Sequence, residues 1–167
     1  MKRSIVSMAA EFKMHWKNYV FQSLFATCVI FVVMLYLGVG EHRSVIVASI
    51  GATAFLVFAL PQKSLSQPRN VIGGHLVGLI SGCLSVLIMK YAPSDSEYIL
   101  AMVYAFSVGF SIFVMVVLDV EHPPGSGTAL GVAVGGFSWE VLLAVMTSAV
   151  ILSLIHHFAK SFLRDLE

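Results

Sequence analysis

Four stretches of about 20 residues each contain at most one Asp, Glu, Lys or Arg and are otherwise dominated by apolar side chains. A helix of that length covers the roughly 30 Å of hydrocarbon in a lipid bilayer. Soluble domains carry about a quarter charged residues, whereas this chain of 167 residues carries 11%. The sequence therefore predicts an all-α membrane protein. The four predicted spans are residues 20–40, 71–89, 98–118 and 139–158.

Two shorter apolar segments are further candidate spans. Residues 45–60 contain no charge and end at Pro61, whereas residues 125–137 would reach only about 20 Å as a helix. The second segment could be a short tilted span, a half-helix continued by the extended residues 122–124, or a re-entrant loop that does not cross. The sequence thus predicts short helices broken by proline and glycine.

The distribution of Lys and Arg favours six crossings. Cytoplasmic loops of membrane proteins carry an excess of these residues. Six spans with a cytoplasmic N-terminus place eight Lys and Arg residues on the cytoplasmic side and two on the outside. If segment 125–137 does not cross, six of these residues lie on the cytoplasmic side and four on the outside. We therefore predict about six transmembrane segments, with both termini in the cytoplasm.

Residues 1–17 differ from the rest of the chain because apolar and basic side chains alternate there at helical spacing. This pattern predicts an amphipathic helix over residues 4–17 that lies on the cytoplasmic membrane surface; a basic tail is the alternative. Residues 18–167 are predicted to form a single transmembrane domain. The apolar residues at helical spacing are Ile5, Met8, Ala9, Phe12 and Trp16.

Composition and motifs argue against several classes of protein. A net charge of +1 without a basic stripe excludes a nucleic-acid binder. Cys28 and Cys83 lie inside apolar runs, and neither a Cys-x-x-Cys nor a His-Glu-x-x-His metal motif is present. Ser126 lacks the Gly-x-Ser-x-Gly setting of a hydrolase nucleophile. We therefore expect neither an enzyme nor a bound metal or other cofactor.

A short internal similarity relates two parts of the chain. Residues 41–54 and 121–129 each contain Glu-His, followed by Gly and then Thr-Ala. Placing residues 18–89 over residues 98–158 gives two halves of three spans, and an odd number of spans forces opposite orientations, as in transporters with inverted repeats. The similarity is short enough to arise by chance. A real repeat would predict a binding site near the membrane midplane.

Glycine recurs at every fourth position in two of the predicted segments. Such stripes let helix backbones approach closely in a membrane. We expect these residues to pack helices against each other rather than to bind a ligand. The two stripes are Gly74, Gly78 and Gly82, and Gly127, Gly131 and Gly135.

The densest polar cluster lies at residues 121–128. Two successive prolines fit only the first turn of a helix, so a helix should begin near Pro124. The amides of residues 125–127 would then lack partners within the helix, and free amides at the positive end of a helix favour an anion. A proline-capped helix start at the membrane interface is the alternative. The predicted anion-binding residues are His122, Pro123, Pro124, Gly125, Ser126, Gly127 and Thr128.

Other polar residues complete the candidate site. Arg69 and Asn70 precede a predicted span, where Arg69 would attract an anion, hold a lipid phosphate or only fix the topology. In the internal similarity described above, Thr53 in the first half of the chain corresponds to Thr128 in the second half. His75 lies inside a span, where ionisable groups usually mark a function, although a hydrogen bond between helices is an equal alternative. The candidates for proton coupling are His42, His75, His122 and Glu121, the last of which could equally be a solvated boundary residue.

Three strings resemble the HPP family of small integral membrane proteins, which is named for its His-Pro-Pro motif. They are Ile-Gly-Ala-Thr-Ala at 50–54, Gln-Pro-Arg-Asn-Val-Ile-Gly-Gly-His at 67–75 and the stretch from His122 onward. Their order and spacing match the family over residues 41–83 and 119–137. Where the family usually has Ala-Gly or Ala-Ala after the prolines, this chain has Gly125-Ser126.

The resemblance implies a function that the residues alone do not specify. HPP proteins are usually described with four spans, and members from cyanobacteria and chloroplasts are associated with nitrite transport. The resemblance therefore implies transport of a small inorganic anion, with nitrite as the first candidate. The anion would move either passively or together with protons. A transporter or channel for another small solute and a non-transporting scaffold are the alternatives. The expected partners are the anion, membrane lipid and a second copy of the chain in a homodimer.

Overall fold

The structure is a computed structural model and describes residues 5–37, 44–92 and 96–166. Within these ranges the chain is helical throughout, with no strand, so the all-α prediction is confirmed. A 3-10 turn, Ser64–Ser66, lies between the second and third helices. The six helices are α1 (Ile5–Leu37), α2 (Ser44–Ala59), α3 (Pro68–Lys90), α4 (Glu97–Val117), α5 (Pro123–Gly135) and α6 (Trp139–Ala159).

Four of these helices are long and apolar enough to cross a bilayer, and each overlaps one of the four predicted spans of about 20 residues. Helix α2 has 16 residues and α5 has 13. At 1.5 Å per residue α5 extends about 20 Å, which is shorter than the hydrocarbon layer. A multi-pass membrane protein is thus confirmed, whereas six full crossings and the inverted repeat stay predictions.

Helix α1 continues without a break from Ile5 to Leu37. Residues 5–17 of the predicted interfacial segment and residues 20–37 of the predicted first span therefore belong to one helix. This helix packs on α2, where the rings of Phe25 and Phe58 meet edge to face with centroids 5.2 Å apart. The position of its first turns on the membrane surface stays a prediction.

Contacts between α2, α3, α4 and α5 fix the relative directions of these helices. Helix α5 runs parallel to α3 and antiparallel to α2 and α4, so successive helices alternate in direction. The residue pairs that show this are Gly74–Gly125 and Gly82–Val132 for α3 and α5, Ser49–Gly127 and Ile46–Gly131 for α2 and α5, and Gly74–Met115 and Ser85–Val103 for α3 and α4.

The short helix α5 lies between α2, α3 and α4, and its glycines replace side-chain packing with backbone contact. A methyl group added at Gly78 would meet the carbonyl oxygen of Gly125, and one added at Gly125 would meet the carbonyl oxygen of Gly74. A methyl group at Gly131 would lie 2.8 Å from Ile46 Cγ1. The first stripe, Gly74, Gly78 and Gly82, therefore packs on α5, and Gly127 and Gly131 of the second stripe pack on α2.

The C-terminal segment, residues 160–166, folds back onto α1 and α2. Gln22 on α1 is buried, and its Nε2 donates to the carbonyl oxygens of Phe58 and Arg164. Its Oε1 accepts from the Arg164 amide at 3.2 Å. The Tyr19 hydroxyl donates to the Leu166 carbonyl oxygen at 2.9 Å. One buried amide side chain thus joins α1, the end of α2 and the C-terminal segment.

Replacing Gln22 by Leu is expected to release the C-terminal segment from α1. Leu has a similar volume but bonds to none of these backbone groups, and the loss should cost about 1–3 kcal/mol. Faster tryptic cleavage after Arg164 in detergent would report the release. Thr27→Val on the same helix is the control, because the Thr27 hydroxyl donates within α1 to the Ser23 carbonyl. An unchanged cleavage rate in Gln22→Leu would contradict the prediction.

Candidate functional site

Two buried imidazoles meet at the beginning of α5. His75 lies about two turns into α3, and His122 is the N-cap residue of α5. Both side chains are 0% exposed, and their ring centroids are 5.1 Å apart. Gly74 makes room for this arrangement, because a methyl group there would collide with His122 Cβ. The close packing of α3 on α5 therefore brings together two histidines that are distant in sequence.

Thr53 on α2 links the two imidazoles. Its Oγ1 lies 2.9 Å from His75 Nε2 and 3.0 Å from His122 Nε2. The same oxygen lies 3.1 Å from the Ser49 carbonyl oxygen, one turn earlier on α2. Thr53 is completely buried, so its hydroxyl relies on these groups rather than on solvent.

Two more hydroxyls extend the arrangement on the other side of His75. His75 Nδ1 lies 2.8 Å from Thr128 Oγ1, which in turn lies 2.9 Å from Ser49 Oγ. Ser49 Oγ also donates to the Pro124 carbonyl oxygen. We call the five side chains the imidazole–hydroxyl cluster; they are Ser49, Thr53, His75, His122 and Thr128.

The environment of His122 fixes the position of its proton. Its Nδ1 lies 2.8 Å from the carbonyl oxygen of Leu65, which can only accept, so Nδ1 carries the hydrogen. His122 lies in the loop between α4 and α5, where burial lowers the pKa of the imidazole to about 4 and the bond to Leu65 opposes this only in part. Near pH 7 His122 is therefore neutral, with Nε2 free to accept a hydrogen bond.

Arg69 and Asn70 bind the loop that precedes α5. Arg69 is paired with the exposed Asp119 at 3.0 Å and donates to the Leu118 carbonyl oxygen at 3.1 Å. Asn70 donates to the backbone carbonyl of Glu121 at 3.0 Å. Asp119 has a φ of 56°, a left-handed conformation that Asp tolerates better than most residues. These two predicted anion-binding residues therefore position the backbone next to the His-Pro-Pro motif.

The amide of Gly125, which the sequence predicts to lack a partner within the helix, is bonded to the N-cap residue of α5. Its N–H donates to the His122 carbonyl oxygen at 2.8 Å. Pro123 and Pro124 have no amide hydrogen at all. The glycine itself is pressed against the backbone of Gly74. The amide of Gly125 is therefore not available to an anion, and the cluster adds side-chain donors to the site.

Other predicted site residues contact different neighbours. Ser126 Oγ lies 3.1 Å from Ser111 Oγ on α4. A methyl group at Gly127 would lie 3.3 Å from Ser49 Cβ, so this glycine packs on α2. His42 lies outside the described residues. Of the predicted site residues, the structure brings four together in the cluster: Thr53, His75, His122 and Thr128.

Sequence reasoning missed two members of the arrangement. Ser49 stands four residues before Thr53, and this spacing on α2 places both hydroxyls on the same helix face. That signal could have identified it. The carbonyl oxygen of Leu65 had no such signal, because a backbone acceptor can belong to any residue type. Its role depends on how the loop between α2 and α3 folds over His122.

A cavity of about 510 Å³ adjoins the cluster between α2 and the start of α5. Ser49, which is the last residue of the cluster, contributes a hydroxyl to the lining of this cavity. The cavity therefore reaches the end of the cluster. A larger groove of about 890 Å³ between α1 and α2 is lined by none of the five cluster residues. The smaller cavity is lined by Val45, Ala48, Ser49, Ala52, Phe55, Leu56, Pro123, Pro124 and Gly127.

Metal ligands do not converge in the part of the chain that the structure describes. No group of three or more His, Cys, Asp or Glu side chains there could hold an ion. The two imidazoles are bonded to hydroxyls and a carbonyl instead. These bonded imidazoles and hydroxyls can take part in hydrogen bonding and proton exchange.

Comparison with known proteins places this arrangement in a family. A family model of the HPP transmembrane region matches residues 11–165. A transmembrane protein of Dictyostelium discoideum is 29% identical over 129 residues, which cover 74% of this chain and 44% of that protein. A second one is 33% identical over 85 residues, which cover 51% of this chain and 26% of that protein.

The chain thus spans less than half the length of the two curated relatives. No solved structure matches it. The family match covers nearly the whole sequence and includes both histidines of the cluster. The chain therefore belongs to the HPP transmembrane family.

Proposed function

We propose that this chain is a membrane transporter for a small inorganic anion, with nitrite as the first candidate, moved passively or together with a proton. The observation that carries the proposal is the fully buried imidazole–hydroxyl cluster beside a cavity, within a bundle of apolar helices. The proposed setting is a bacterial cytoplasmic membrane with both termini inside. Lipid and a second copy of the chain are the proposed partners, and neither enzymatic activity nor a cofactor is part of the proposal.

The chemistry of the cluster suits a small anion that must be released again. Ionisable and polar groups inside a membrane are costly and usually serve a function. The cluster offers hydroxyl and imidazole hydrogens without a fixed positive charge, so an anion would be bound weakly enough to leave. A proton taken up by one imidazole would make the site cationic and strengthen binding. Anion and proton would therefore favour each other at this site.

The cavity supplies a route to the cluster. An anion in the cavity would meet the hydroxyl of Ser49 first, with Thr128 immediately behind it. Arg69 and Asn70 would keep the loop before α5 in place while the anion binds. The predicted anion site at the start of α5 is thus retained in the proposal, with side-chain hydroxyls as the main donors.

The lining of the cavity favours a second candidate function. Its walls are mostly apolar, from Val45 and Phe55 on α2 to Pro123 and Pro124 on α5. A small neutral solute, including the protonated form of a weak acid, would enter such a cavity more easily than an ion would. Transport of another small solute is therefore the alternative, and competition with nitrite distinguishes the two.

Nitrite uptake into proteoliposomes under a pH gradient tests the proposal. We expect saturable uptake that falls by at least about tenfold in His122→Ala, which removes the hydrogen bonds to Thr53 and the Leu65 carbonyl. His157→Ala is the control, because His157 is exposed on α6. Nitrate, formate and chloride serve as competitors. A folded, inserted protein with no nitrite flux above empty liposomes would refute the assignment.

A further inference from the structure

The five side chains of the imidazole–hydroxyl cluster form one continuous series of hydrogen bonds. Each imidazole uses both ring nitrogens, and both threonine hydroxyls stand between two partners. The order is Leu65 carbonyl oxygen, His122, Thr53, His75, Thr128 and Ser49, with successive distances of 2.8, 3.0, 2.9, 2.8 and 2.9 Å.

The Leu65 carbonyl fixes the first donors of this series. His122 donates from Nδ1 to that carbonyl, so in the neutral ring Nε2 must accept. The group that faces Nε2 is the Thr53 hydroxyl, which therefore donates to His122. Thr53 could also donate to the Ser49 carbonyl oxygen at 3.1 Å, but His122 Nε2 would then face an oxygen without a hydrogen.

The remaining donors follow in the same direction. Because the single Thr53 hydrogen points to His122, His75 must donate to Thr53 from Nε2. A neutral His75 then accepts at Nδ1 from the Thr128 hydroxyl. The bond between Ser49 and Thr128 then needs the single Ser49 hydrogen, for which the Pro124 carbonyl oxygen competes, so the series reaches Ser49 when that hydrogen points to Thr128. The donors from Thr128 to His122 are the same in either case. Every hydrogen from Thr128 to His122 thus points towards Leu65.

We propose that this series is a proton relay from the cavity to His122, at the end of the loop before α5, with Thr53 as the link between the two histidines. An acid in the cavity beside Ser49, either hydronium or the protonated form of the transported anion, is the proton donor. The relay deepens the proposed function, and its part in transport rests on that function. The hydrogen bonds themselves do not depend on which anion is moved.

The central step moves one proton and no electrons. A proton that reaches His75 Nδ1 makes that ring cationic. The N–H bond at His75 Nε2 then breaks as its proton passes to Thr53, and the Thr53 hydroxyl proton forms a new N–H bond at His122 Nε2. His75 is left neutral with its hydrogen on Nδ1, and the Leu65 carbonyl stabilises the His122 cation through its Nδ1–H. The total charge is unchanged.

The titratable groups of the relay are its two histidines, and the ionisable residues of the neighbouring helices are as follows. Described residues of α2 and α5 include no ionisable side chain. On α3 the other charged residues, Arg69 and Lys90, stand at its two ends. The loop before α5 contributes Asp119, which is paired with Arg69, and Glu121. The ionisable residues on α4 and α6 are Glu97, Tyr98, Tyr104, Glu140, His156 and His157, of which His156 is bonded to the Pro61 carbonyl.

Thr53→Val tests the relay because valine has nearly the shape of threonine but no hydroxyl. Proton entry into proteoliposomes, followed with an internal pH dye, is expected to fall about 100-fold, since positioned proton-transfer groups contribute rate factors of that size. Thr53→Ser restores a hydroxyl at this position and should recover most of the proton entry that Thr53→Val loses. The measurement is made with and without nitrite. Proton entry that does not depend on the Thr53 hydroxyl in either condition would overturn the relay.

Nitrogen-15 NMR of the two histidines tests the direction of the hydrogen bonds in the unaltered chain. Near pH 7 we expect His122 to carry its hydrogen on Nδ1 and His75 on Nε2. The same tautomer on both rings would overturn the proposed direction. This result does not require any variant to fold. Proton entry that depends on the Thr53 hydroxyl, without nitrite uptake, would support the relay and refute the nitrite assignment. Nitrite uptake that Thr53→Val leaves unchanged would support the nitrite assignment and refute the relay.

Discussion

Gly78→Ala is expected to destabilise the helix bundle by about 3 kcal/mol, at the upper end of the cost of overpacking a closed interface. The added methyl group would meet the Gly125 carbonyl oxygen and would lie 3.2 Å from Thr128 Cβ. A backbone carbonyl cannot turn aside as the end of a side chain can, so α3 and α5 would have to separate. The thermal midpoint in detergent, followed by loss of the monodisperse species, measures the effect.

Gly109→Ala is the matched control for this prediction. Gly109 lies within α4, and nothing stands within 4 Å of a methyl group placed there. Because alanine favours a helix over glycine by up to about 1 kcal/mol, this change should leave the midpoint unchanged or raise it. Equal midpoints for the two variants would show that α3 and α5 do not depend on their close approach.

His75→Leu is expected to lower both stability and transport. The imidazole is the partner of Thr53 Oγ1 and of Thr128 Oγ1, and both hydroxyls are completely buried. Leaving them short of a partner should cost about 1–3 kcal/mol, since hydrogen bonds between membrane helices are individually modest. Transport should fall to the level of empty liposomes because the relay would have no proton carrier between the two threonines. The thermal midpoint and nitrite uptake measure the two effects.

A comparison with His75→Gln separates packing from proton transfer. The glutamine amide can bond to a threonine hydroxyl but does not carry a proton from one side to the other. We expect this variant to recover part of the lost stability and none of the transport. His157→Leu, at an exposed position on α6, should alter neither quantity. Normal transport by His75→Gln would contradict a role of His75 in moving protons.

The sequence predicts the helices well because hydrophobicity is a property of each segment by itself. Residues 98–118 and 139–158 differ by only one residue at either end from Glu97–Val117 and Trp139–Ala159. Proline and glycine also mark the start and the packing faces of α5 without reference to the rest of the fold. For segment 125–137 the sequence leaves open a short span, a half-helix or a re-entrant loop, and the observed helix is Pro123–Gly135.

The site is less predictable because it depends on how the helices are rotated and staggered. The His-Pro-Pro motif and the family resemblance select His122, His75 and Thr53, yet neither shows that Thr53 stands between the two rings. The sequence makes Arg69 a candidate to bind an anion, to hold a lipid phosphate or only to fix the topology, whereas the structure pairs it with Asp119. Such pairings follow from the fold of the loop and from the approach of α3 to α5, which no single segment encodes.

The hydrogen bonds between Gln22 and Arg164 have a consequence for the order in which the protein assembles. Helix α1 is synthesised before the other five described helices, and Gln22 then lacks its partners at Arg164, which follows all of them. Membrane helices insert individually and associate afterwards. Until Arg164 is made, α1 is held to α2 by the bond from Gln22 to the Phe58 carbonyl oxygen and by apolar contacts such as Phe25 on Phe58. We expect α1 to be the last of these helices to reach its final place, when translation has passed Arg164.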